Sequence, residues 1–80
     1  MTTGGGSGGL SGPADRLWRA RRRHDHIDAE IVATPAGCEL RYLRNDRVMV
    51  VWRFDTPEAA ADDARARLAD LIRAGWTVHW

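Results

Sequence analysis

The chain has 80 residues, with 12 Arg and no Lys set against 11 acids, a net charge of +1 and a single cysteine, Cys38. One cysteine excludes an intramolecular disulfide and a four-thiolate zinc site, and no apolar run approaches the ~20 residues needed to span a bilayer. The length allows one domain, and domains of roughly 60 residues bury only about 60% of their unfolded surface, so nearly every apolar residue is needed for the core and self-association is a natural supplement.

Residues 1–12 (MTTGGGSGGLSG) hold almost no side chain able to build a core and read as a flexible Gly/Ser-rich leader, leaving 13–80 as a single small domain. Met1 is not followed by the basic and apolar run of a secretion signal, so the expectation is a cytoplasmic protein without a membrane partner. The expected fold class is α+β: a three-stranded antiparallel β-meander packed on one C-terminal helix. Residues 13–23 carry only Leu17 and Trp18 as anchors among helix formers, which leaves a short helix and a short strand both open for that stretch.

From Ile27 the apolar period becomes two, with Ile27, Ala29, Ile31 and Ala33 on one face, and Thr34, Pro35, Ala36 and Gly37 suit a turn with Pro at its second position. Cys38 to Leu43 forms the next strand, and Arg47 to Phe54 is the most β-prone run of the chain. With Thr34 opposite Gly37, the inner face collects Cys38, Leu40 and Tyr42. A three-residue loop Arg44, Asn45 and Asp46 is expected to add Val48, Val50, Trp52 and Phe54 to it, because a two-residue Asn-Asp turn would mix Glu39 and Arg41 with Val50 and Trp52.

Thr56 as N-cap and Pro57 at the first helical position open a helix whose apolar stripe is Ala61, Ala64, Leu68, Leu71 and Ile72, closed by Arg73 and Gly75. Trp76, Val78 and Trp80 alternate after it, which suits an extended segment along the core.

Two surfaces carry the functional expectations. Residues 1–23 hold five Arg and one acid, a net +4, whereas 24–80 hold seven Arg and ten acids, a net −3. Arg16, Arg19, Arg21, Arg22 and Arg23, interleaved with Trp18, are therefore the candidate contacts to DNA or RNA phosphates. The outer sheet face is mixed, with Val32, Arg41, Leu43, Arg47, Met49, Val51 and Arg53 among Asp28, Glu30 and Glu39. Such apolar content on an outer face calls for a cover: a homodimer mate, another protein partner, or residues 13–23 folded back with Leu17 and Trp18 over it.

Catalytic chemistry finds no support. Ser7 and Ser11 lie in the leader, no Gly-rich loop joins a strand to a helix, and Cys38 reads as a small core residue without a base. His24, Asp25 and His26 offer two imidazoles at i, i+2, too few for a metal unless His79, Asp28 or Cys38 converge on them, so a polar turn is expected and no cofactor.

Glu39, Leu40 and Arg41, then Phe54 and Thr56, the alanine-rich helix and the pair Gly75 and Trp76 together resemble short bacterial proteins of β-β-β-α layout, a resemblance that implies no activity. At fold level the layout also resembles the AP2-type and phage integrase arm-binding domains, which read DNA with the exposed sheet face. That implies a role for Arg41, Arg47 and Arg53, opposed by Glu30 and Glu39. A helical 13–23 would give the α-β-β-β-α order of double-stranded RNA-binding domains, although the second helix begins with acids here. The expected function is a non-enzymatic interaction module that self-associates or binds a protein through the outer sheet face, with nucleic-acid binding through Arg16 to Arg23 as the alternative.

Overall fold

The computed structural model describes residues 14–79, so the leader 1–12 and Trp80 lie outside the described residues. The elements are β1 (Asp15–Arg22), β2 (Asp25–Thr34), β3 (Gly37–Arg44), β4 (Arg47–Phe54), α1 (Pro57–Arg73) and β5 (Thr77–His79). They build one antiparallel sheet of order β4-β3-β2-β1-β5, with α1 packed on one face. The α+β class and the C-terminal helix are as expected, but the meander has four strands, and a short fifth lies outside β1.

The additional strand is Asp15–Arg22, the stretch left open between helix and strand. Its alternation is hidden by a bulge: Arg16 faces Glu30 and Trp18 faces Ala29, so Leu17 is one residue too many. Beyond it Trp18 and Ala20 point to the core, and Arg19 and Arg21 point to the outer face. Pairing with β2 overrides the helix propensity of the Arg and Ala residues, because it buries Trp18 to 3% exposure and Ala20 completely. Trp18 therefore lies under the helix, and the idea that Leu17 and Trp18 cover the outer face is corrected: Leu17 lines the helix side beside Ala61 and Leu68.

The β2–β3 hairpin has the expected register, with Thr34 opposite Gly37, Ile31 opposite Leu40 and Ala29 opposite Tyr42. The β3–β4 hairpin reaches the expected inner face by another route. Its loop is the two residues Asn45 and Asp46, both in the left-handed region (φ 52 and 71), as a type I′ turn requires. A bulge at Met49 then restores parity, since Leu43 faces Val48 while Tyr42 faces Val50. Val50, Trp52 and Phe54 share the inner face with Tyr42, Leu40 and Cys38 as expected. Val48, expected inside, lies opposite Leu43 on the outer face, and Arg47 and Met49, expected outside, fall on the helix side. Asn45 fastens this turn to β2, its N–H donating to the His26 carbonyl at 2.9 Å and its side-chain oxygen accepting from the His26 N–H at 3.0 Å.

Thr56 caps α1, its hydroxyl accepting from the Ala59 N–H at 3.2 Å, with Pro57 next in the first turn. The buried stripe is Ala60, Ala64 and Leu68. Leu71 is half-buried and Ile72 is 50% exposed, so the helix is rotated toward Ala60 relative to the expected stripe. The alanines admit close approach to Ala20 and Ala29, and the Trp18 indole N–H donates to the Ala64 carbonyl at 3.0 Å. Gly75 (φ 101) ends the helix, Trp76 returns to the core at 7% exposure, and β5 pairs antiparallel with β1.

Two backbone positions predict opposite mutational signs. Gly37 has φ 144, and a Cβ there would sit 2.4 Å from the Phe54 carbonyl oxygen, so Gly37→Ala is expected to destabilise the fold by about 2–3 kcal/mol. Arg23 opens the β1–β2 turn at φ 58, where an L side chain costs about 1–2 kcal/mol. Arg23→Gly is expected to stabilise by about 0.5–1 kcal/mol after the greater unfolded-state entropy of Gly is deducted. Urea unfolding of both variants checks the pair.

Candidate interaction surfaces

The outer sheet face carries Arg16, Arg19 and Arg21 from β1, Asp28, Glu30 and Val32 from β2, and Glu39, Arg41 and Leu43 from β3. At its centre Arg19 clasps Asp28 bidentately, Nε to Oδ1 at 2.6 Å and Nη2 to Oδ2 at 2.8 Å. Asp28 is only 3% exposed, yet the Arg19 hydrogen bonds outweigh desolvation and hold its carboxyl below the usual range. Glu39 takes Arg41 at 3.1 Å and Arg53 at 3.7 Å. This face is largely a lattice of compensated charge. Of the expected interface residues, Val32 is buried, Arg41 and Leu43 are half-buried, Val51 and Arg53 are exposed, and Arg47 and Met49 lie on the helix side.

The apolar surface gathers elsewhere. The large exposed hydrophobic residues are Val48 (54%), Met49 (59%), Val51 (42%), Trp52 (50%) and Ile72 (50%), and all but Ile72 belong to β4, an edge of the sheet. Trp52 was expected in the core, and its exposure is a correction: it faces the helix side at a position α1 does not reach. Between β4 and α1 runs a shallow groove of about 220 Å³ lined by Ile27, Tyr42, Met49, Val50, Arg67 and Leu71. The Tyr42 hydroxyl donates to Asp63 at 2.8 Å, and burial, reinforced by Asp63, pushes its pKa well above the phenol range. The Arg67 guanidinium lies 5.6 Å from the centre of the Tyr42 ring.

The arginine set divides. Arg19 is committed to Asp28. Arg22 donates to the Ala74 carbonyl at 3.2 Å and stacks 4.9 Å from the centre of the Trp76 ring, tying β1 to the end of the helix. Arg16, Arg21 and Arg23 are exposed without an ion-pair partner among the described residues. Arg21 and Arg23 lie at the sheet end that carries the β1–β2 and β3–β4 turns, and Arg47 lies at the same end.

His26 comes together with Asp28 and Asp46, their ligand atoms within 4.8 Å of one another, rather than with His24 or Cys38. Its Nε2 lies 3.3 Å from Asp46 Oδ1, but Arg19 already occupies both oxygens of Asp28, so a cation would have to compete with a guanidinium in place. The contact pins the Asn45–Asp46 turn. Cys38 is a buried core residue whose Sγ–H donates to the Thr56 carbonyl at 3.4 Å, and burial raises its pKa, away from nucleophilic reactivity.

No protein-family model matches the sequence, and neither the curated proteins nor the solved structures yield a match. The observed β-β-β-β-α-β order exceeds the β-β-β-α layout. It also places a strand where double-stranded RNA-binding domains have their first helix. The bulge at Met49 removes Arg47 from the three-arginine outer face that the DNA-binding analogy requires.

The Arg19–Asp28 pair generates a pH prediction. The folded pKa of Asp28 lies below its unfolded value of ~3.9, so its stabilisation is complete above that value and is lost as pH falls through the lower folded one. Asp28→Asn is expected to cost about 2 kcal/mol at neutral pH, the partial exposure of Arg19 softening the loss, and to flatten the stability profile below about pH 4. Thermal unfolding of both proteins across that range checks it.

Proposed function

We propose that the chain is a non-enzymatic interaction module that docks a protein partner by extending its sheet at β4. The observation that carries this reading is the concentration of exposed Val48, Met49, Val51 and Trp52 on one eight-residue edge strand. An edge strand offers a row of unpaired N–H and C=O groups, and alternate side chains of an added strand would meet the β4–α1 groove on one face and Val51 on the other. Relative to the outer sheet face expected from sequence, the docking surface moves to the rim, because the centre of that face is occupied by ion pairs.

A random-peptide display selection against the full chain tests the reading. Selected peptides are expected to slow amide exchange in β4 and to lose about tenfold or more in affinity on Trp52→Ala, a large anchor at the centre of the strand. Peptides whose footprint lies away from β4 would refute it.

A second reading, binding of DNA or RNA, draws on the exposed Arg21, Arg23 and Arg47 at one sheet end. It expects salt-steep binding of a fluorescent duplex or single strand, reduced by Arg21→Ala and Arg23→Ala. Binding indifferent to salt or to these changes would exclude it.

A further inference from the structure

We propose that the occupant of the β4 edge is a second copy of this chain, paired antiparallel about a two-fold axis beside Val51. The inference rests on the reading of β4 as the docking edge, and adds the partner and the register.

Charge along this edge is polar. Arg47 stands at the start of β4, and Asp55 follows its end, with Glu58 in the first turn of α1. All three are exposed, and none has an ion-pair partner among the described residues. Asp46, the acid nearest Arg47 in sequence, is engaged by His26. Antiparallel pairing lays the basic start of one strand along the acidic end of the other, and two-fold symmetry makes the same match twice.

The pleat narrows the register. Val50 and Trp52 face the helix side while Val51 and Arg53 face out, so a matched pairing must keep these two sets apart. An axis beside Val50 sets Val51 against Met49 and Trp52 against Val48 of the second copy, pairs that the bulge at Met49 leaves on opposite faces. An axis beside Val51 instead sets Val51 against its own mate, Val50 against Trp52, and Arg47 alongside Asp55. Both helices then lie on the same side of one continuous sheet.

Closure favours a pair over a chain of copies. The opposite edge is the three-residue β5, too short to offer a comparable ladder, and an isologous contact uses β4 on both partners at once.

Sedimentation velocity of the full chain over a range of concentrations is the test. A monomer–dimer equilibrium is expected, abolished by Val51→Lys, which sets two ammonium groups together at the axis. Arg47→Glu and Asp55→Lys are each expected to weaken association about tenfold, since two exposed pairs turn from attractive to repulsive. Mixing the two variants is expected to recover the dimer, because each heterodimer restores one Arg–Asp pair and creates one Glu–Lys pair. A chain monomeric at every concentration, or a dimer indifferent to Val51→Lys and Arg47→Glu, overturns the proposal. A monomer that still takes displayed peptides along β4 refutes the second copy while keeping the docking edge. A monomer that takes none refutes both.

Discussion

Among the described residues one helix must cover a five-stranded sheet, and it is too narrow to do so. Strand spacing makes the sheet roughly 20 Å across, whereas a helix with its side chains is about 10 Å wide. The chain places that helix close over β1, β2 and β3, where Ala20, Ala29, Ala60 and Ala64 remove the side-chain bulk between layers. The Trp18 indole bonded to the Ala64 carbonyl and the Tyr42 hydroxyl bonded to Asp63 fix its position. Trp52 and Met49 face the helix side and remain at least half exposed, because the cover ends before it reaches them. The helix-side half of the apolar rim follows from the width of the two layers, while Val48 and Val51 lie on the outer face.

Among the described residues the other face of the sheet has no layer above it, and its chemistry accounts for the lopsided charge of the chain. The net +4 of residues 1–23 reads as a basic arm in one dimension. In three dimensions four of its five arginines, Arg16, Arg19, Arg21 and Arg22, lie on β1, laid against β2, which carries Asp25, Asp28 and Glu30. Arg19 meets Asp28 and Arg16 is registered with Glu30 across the same pair of strands. The arm is thus partly compensated by the acidic strand beside it, through the Arg19–Asp28 bridge. A buried carboxylate such as Asp28 is tolerable only with a bidentate guanidinium beside it, which gives Arg at this position a role Lys would not fill.

Much of the fold was legible because strand parity is a strict rule. The β2–β3 register follows from one turn and two alternating runs, and the Thr56–Pro57 start and Gly75 end of the helix are local signals that packing did not override. The two bulges hid the rest. Leu17 breaks the alternation that would have marked β1 as a strand. Met49 lets a two-residue turn coexist with an inward Val50 and Trp52, a combination that parity without a bulge forbids. Burial decided wrongly at Trp52 and Ile72 for a different reason: a sequence pattern tells which side of an element is apolar, and it does not tell how far the covering layer extends. The apolar content of the outer face was legible as composition, but its placement on the β4 rim depended on the strand order.

The two edges of the sheet are unequally protected. Short strands, charges and bulges are the usual means of blunting an edge. The β5 edge has the first of these, being three residues long. β4 has a bulge at Met49 and arginines at positions 47 and 53, but all lie toward its ends, and Val50, Val51 and Trp52 between them carry no charge. For a domain this small the exposed rim also bears on stability, since its core is built on few large side chains. A ligand that binds the folded state and not the unfolded one shifts folding by mass action. A strand docked on β4 would therefore return to the fold part of the hydrophobic burial that its single helix leaves unmade.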